Sequence, residues 1–234
     1  MFSTPPLTPL VKKLIIGLLV AFVLELILLN FAHINVIALF GLDPVGLGPL
    51  TLVQLASHVL LEYPQQGQWV LINLVFMWLI LSPFEVTFGS KPTLQLIGWG
   101  ILAAAVAVIV VGLIAGTPVP GYRYVGSSAI TYVGLAAMTQ VVRSGRIMFF
   151  GVLPMTPRQL LLVVAGFALL NFLITTDYLA LAGSIAAIAA GVGYVRYMAR
   201  APRPPRGKRS APPRFRVLRG GGGDGEGDRP KWLN

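Results

Sequence analysis

Residues 122–140 read YRYVGSSAITYVGLAAMTQ. A Gly-Ser-Ser-Ala step, with Ser128 as its third residue, stands at the head of a run that is apolar at most positions. A helix that is apolar all round belongs inside a core or in a membrane. Crossing a bilayer core takes about 20 apolar residues. The run is short by that measure, which predicts a helix that starts in a cavity or lies inside a bundle.

The rest of the chain fits such a bundle. Of 234 residues, 56% are hydrophobic and 11% charged, whereas soluble domains carry about 25% charged residues. Six apolar segments are expected as spans, at residues 14–40, 69–88, 94–114, 126–142, 160–174 and 178–198. The first run is too long for a cleaved signal and no convincing A-x-A site follows it, so a retained helix is expected. The predicted fold class is an all-α membrane protein with six transmembrane helices.

The absence of cysteine excludes disulfides, thiol catalysis and Cys-ligated metal sites. Two histidines, His33 and His58, are too few for a His-rich metal centre, and no phosphate-binding loop motif is present. No cofactor and no metal are expected.

Charge sets the expected orientation. An inside N-terminus places Lys12, Lys13, Lys91, Arg143, Arg146, Arg158 and the tail on the cytoplasmic side and only Arg123 outside, seventeen basic residues against one. Residues 41–68 are an outer segment punctuated by Pro and Gly, within which LTLVQLASHVLLEY reads as a short interfacial helix. From residue 196 onward there are eleven Lys/Arg and three Asp/Glu. The Pro-, Arg- and Gly-rich tail from residue 201 is expected to be disordered and to touch anionic lipid rather than nucleic acid. The expected organisation is a short cytoplasmic N-terminus (1–11), a membrane domain (12–199) and a cytoplasmic tail (200–234). The lack of cysteine and the Ala/Gly/Arg usage fit a bacterial inner (cell) membrane.

Three spacings, in order along these segments, resemble the rhomboid family of intramembrane serine proteases. WVLIN at residues 69–73, followed by FEVTFG at 84–89, is similar to the family pattern H-x-x-x-N and a later Glu-x-x-x-Gly. Asn73, Glu85 and Gly89 match, and Trp69 stands where the family has His. GSSAITY at 126–132 is similar to G-x-S-G with a Tyr four residues after the nucleophile: Gly126, Ser128 and Tyr132 match, and Ala129 replaces the last Gly. AGSIAAIAAGVG at 182–193 is similar to the last family helix, which opens on the catalytic His. There Ser184 replaces the His and Ala187 a Gly, while Gly191 is kept. The resemblance covers roughly residues 12–199 and implies a rhomboid-like bundle with a water-filled cavity open to the outside.

The resemblance also implies that Ser128 and Ser184 form a degenerate catalytic pair. Asn73, Trp69 and Gly126 would line the oxyanion cavity, with Tyr132, Glu85 and Gly191 in support. A serine hydroxyl is a weak nucleophile without a base, and Ser184 is no base at neutral pH. Removing the His from a soluble serine protease lowers kcat by about 10⁶, roughly 8 kcal/mol of barrier. The expected function is a pseudoprotease that binds transmembrane-helix client proteins within the lipid bilayer without cutting them. The alternative is an active intramembrane serine endopeptidase with Ser128 as nucleophile and a non-standard base. Glu25, a carboxylate within the first span, is unexplained by the resemblance and suspect as functional. Asn30 and Asn171 are its candidate partners.

Overall fold

Pro9 supplies the fixed φ suited to a first helical turn, and an apolar run follows Lys12 and Lys13. The computed structural model, which describes residues 5–141, 147–149 and 153–200, accordingly begins with helix α1, Pro9–Asn30. The helix does not continue to residue 40. Asn30 Nδ2 turns back onto the Leu26 carbonyl at 2.8 Å, and His33 takes a left-handed φ of +54°. A new helix, α2 (Val36–Phe40), starts where Asn35 Oδ1 accepts from the Ala38 N–H at 3.0 Å. The expected first span is therefore a span-length helix, a turn and a short second helix. Asparagine offers the backbone local bonds that compete with the helical ladder.

The segment expected as an interfacial helix forms α3 (Thr51–Ser57) and a 3₁₀ turn, His58–Leu60. A second 3₁₀ turn, Pro64–Gln66, leads into α4 (Gly67–Phe88), and α5 (Ser90–Ala115) follows Gly89, whose φ of +86° suits only glycine. The quoted stretch gives α6 (Ser128–Val141). A short antiparallel hairpin, β1 (Ile147–Phe149) with β2 (Leu153–Met155), precedes α7 (Pro157–Thr175) and α8 (Tyr178–Arg200). Thr156 and Gln159 form a reciprocal cap at the start of α7.

Four of these helices, α4, α5, α7 and α8, are long and apolar enough to cross a membrane. The chain is an all-α membrane protein, and its apolar helices call for a lipid bilayer. The basic tail from residue 201, Arg143, Arg146 and residues 1–4 lie outside the described residues.

Helix α6 is the centre of the packing. Eleven of its fourteen residues, Ala129 through Thr139, are buried. It packs on α4, α5, α7 and α8. Small residues allow the close crossings, as is usual where helix association relies on van der Waals contact rather than expulsion of water. A Cβ on Gly100 of α5 would lie 2.6 Å from Val133 Cβ, and one on Gly191 of α8 would lie 3.0 Å from Ala136 Cβ. By contrast α7 buries only Pro157 and Leu160.

Glu85, near the end of α4, fastens α1 to the bundle. Its carboxylate accepts from the N–H groups of Leu10 and Val11, each at 3.2 Å, from Ser90 Oγ at 2.5 Å and from Thr8 Oγ1. The opening amides of a helix have no intrahelical acceptor and carry a partial positive charge. A carboxylate there satisfies both conditions.

Candidate functional site

The head of α6 is set by Gly126, whose φ of +129° is open to glycine alone and whose N–H donates to the His58 carbonyl at 3.0 Å. The turn leaves the two adjacent serines in different surroundings. Ser127 is 2% exposed. Ser128 is exposed, and its hydroxyl makes no hydrogen bond among the described residues.

Ser127 sits in a polar network. Glu62 Oε1 accepts from the Ser127 N–H at 2.7 Å and from Ser127 Oγ at 2.6 Å. Asn73 Nδ2 donates to Ser127 Oγ at 2.7 Å, and Asn73 Oδ1 accepts from Thr131 Oγ1. Burial pushes the Glu62 carboxyl above its ordinary range, against the opposing pull of the Ser127 hydroxyl and amide. The carboxylate lies at the positive end of α6, where an anion is favoured. Glu25 extends the network: its Oε2 accepts from the Glu62 N–H at 3.1 Å. Neither Asn30, bonded to Leu26, nor Asn171 takes that place.

The residues expected as a site are partly brought together. Tyr132 and Ser184 lie near each other. The Ser184 hydroxyl donates to the Ala180 carbonyl at 2.8 Å, one turn back in its own helix. Ser184, Ala187 and Gly191 are all buried on one face of α8. Asn73 reaches the head of α6, but through Ser127 rather than Ser128. Trp69, one turn before Asn73, is 52% exposed. Glu85 is twelve residues along α4 from Asn73, about 18 Å at the helical rise, and belongs to the α1 fastening.

Neither histidine is hydrogen-bonded to a serine hydroxyl among the described residues. His58 is wholly buried, with Nδ1 on the Gln54 carbonyl at 3.0 Å and its ring 5.4 Å from that of Tyr124. Burial lowers its pKa, which keeps it neutral. His33 lies in the exposed turn after α1.

Glu62, Ser127 and Thr131 were not singled out from the sequence. A signal was present: Thr131 follows Ser127 by four residues, one helical turn on the same face, and Glu62 is one of two acids in the outer segment 41–68, with Asp43.

The arrangement separates two chemical requirements. The serine with a carboxylate on its hydroxyl is buried, and the exposed serine has no base bonded to it among the described residues. No protein-family model matches the chain, and no curated protein matches it.

Proposed function

We propose that this chain is a rhomboid-like, six-span membrane protein that has lost peptide hydrolysis and binds the transmembrane helices of client proteins. One observation carries the reading: the exposed Ser128 has no base beside it among the described residues, while position 184 holds a hydroxyl turned onto its own helix. The crossing of α6 and α8, the nearness of Tyr132 to Ser184 and the position of Asn73 at the head of α6 support the rhomboid-like part. The intrinsic carboxylate of Glu62 supports the loss of hydrolysis. A fixed negative charge beside α6's first amides opposes the oxyanion that acyl transfer must stabilise there.

In this reading α1 and α6 also cross the membrane, both termini are cytoplasmic and the basic tail lies on anionic lipid. The membrane is a bacterial inner membrane. The test is co-reconstitution in liposomes with a fluorescent single-span reporter, reading association by energy transfer and cleavage by product size. Association without cleavage is expected. Absence of association with a panel of such spans refutes client binding.

A second reading is favoured by one distance. Glu62 holds a hydroxyl proton at 2.6 Å only one residue from Ser128, so an endopeptidase with Ser128 as nucleophile and Glu62 as base needs a local shift of the turn. Cleavage abolished by both Ser128→Ala and Glu62→Gln would establish it.

A further inference from the structure

Two acids meet where α1 approaches the loop that feeds α4. Glu25 is 2% exposed. One of its oxygens accepts from the Glu62 N–H, and the other, Oε1, is buried with no partner among the described residues. Glu62 uses Oε1 for Ser127, and its Oε2 has no hydrogen bond among the described residues. Among the described residues no Lys or Arg pairs with either acid, the ion pair there being Arg123 with Asp43, at 2.6 Å. A buried carboxylate oxygen without a donor or a cation, on a side chain whose other oxygen is held at the backbone of a second acid, is not a stable place for a full charge.

We propose that Glu25 and Glu62 form a proton-binding site that holds one proton between them. The proton comes from water and forms an O–H bond on Glu25 Oε1, the buried unused oxygen. The single charge left on the pair stays on Glu62 Oε1, where the Ser127 amide and hydroxyl stabilise it. A metal ion suits the place less well, because hard cations take about six or more oxygen ligands. Ser127 Oγ, Asn73 Oδ1 and Thr131 Oγ1 are already committed to one another.

The neighbouring titratable groups do not compete near neutral pH. His58 on the adjoining 3₁₀ turn is held neutral by burial, and burial raises the Tyr63 and Tyr124 hydroxyls further into the alkaline range. Helix α4 presents Asn73, which does not titrate. Burial also raises Glu62. A carboxyl with a raised folded-state pKa binds its proton more tightly folded than unfolded. The stability it contributes is therefore complete at low pH and lost as pH rises through the folded value.

The experiment uses the full chain in sodium-free choline buffer, from about pH 5 to about pH 9, the interval between ordinary carboxyls and ordinary tyrosine. Infrared absorption of the protonated carboxyl and thermal unfolding are read for wild type, Glu25→Gln and Glu62→Gln. A carboxyl band that titrates in wild type and is lost in Glu25→Gln is expected, with a melting temperature that falls with pH in wild type and is flat in Glu25→Gln. No titrating band in wild type overturns the proposal, whether or not either variant folds. So does an unchanged pH profile in Glu25→Gln, or replacement of the pH effect by added sodium, which makes the site a cation site.

Discussion

Two glycines of α8, Gly191 and Gly193, give a prediction in which one helix serves as its own control. A Cβ on Gly191 would collide with the Val133 carbonyl oxygen and stand 3.0 Å from Ala136 Cβ and 3.2 Å from Ala137 N. Two of those obstacles are backbone, so no rotamer change relieves them and α8 must move off α6. Overpacking of this kind costs about 1–3 kcal/mol. A Cβ on Gly193 meets nothing within 4 Å. Both Gly→Ala changes gain the same helix propensity, about 1 kcal/mol. The difference between the variants therefore isolates the steric cost. Gly193→Ala is expected to be stabilising by up to about 1 kcal/mol, and Gly191→Ala to fall about 1–3 kcal/mol below it. Equilibrium unfolding in mixed micelles with rising SDS fraction measures both. Equal shifts of the same sign would refute the close crossing of α6 and α8.

Other outcomes follow from single residues. Glu85→Ala strips the acceptor from the Leu10 and Val11 amides and should destabilise by about 2–4 kcal/mol, with Glu85→Gln milder in the same assay. Asn73→Ala leaves the Thr131 hydroxyl, 3% exposed, without its acceptor; about 1–3 kcal/mol is expected, and a change within noise would show that the network is not stabilising. For Asp43, burial pushes the carboxyl up, but the Gly46 and Val45 amides and Arg123 outweigh it and hold the pKa low. Its contribution is therefore present above the ordinary carboxyl pKa of about 3.9 and lost as pH falls through the folded value. Arg123→Ala should lower stability near neutral pH by only about 0.2–1 kcal/mol, read as a small shift in the same unfolding curve.

Much of the architecture was legible because apolar length is a direct physical signal. The helices α4, α5 and α8 fall close to the runs that predict them, and α6 is as short and as buried as its all-round apolar pattern implies. The break after Asn30 was not legible, because Phe31, Ile34 and Val36 keep the run apolar while the asparagines end the helix through local bonds. The candidate site was legible where one helix carries the pattern, as with Ser184, Ala187 and Gly191 on one face of α8. It was hidden where distant segments supply partners. Nothing local says that Glu62 will meet Ser127, sixty-five residues away, or that Glu25 will meet the Glu62 amide. Choosing between Ser127 and Ser128 depends on a turn at Gly126 that only the folded backbone defines.

The central claim is that an exposed serine without a base does not cut peptides. The most direct test is cleavage of a fluorescent transmembrane reporter by the purified protein in liposomes, with Ser128→Ala and Ser184→His alongside and an active rhomboid as positive control. The account predicts no cleavage by wild type or Ser128→Ala while the control cuts. It also predicts that any activity appearing in Ser184→His disappears when Ser128→Ala is added. Wild-type cleavage that Ser128→Ala abolishes would contradict it.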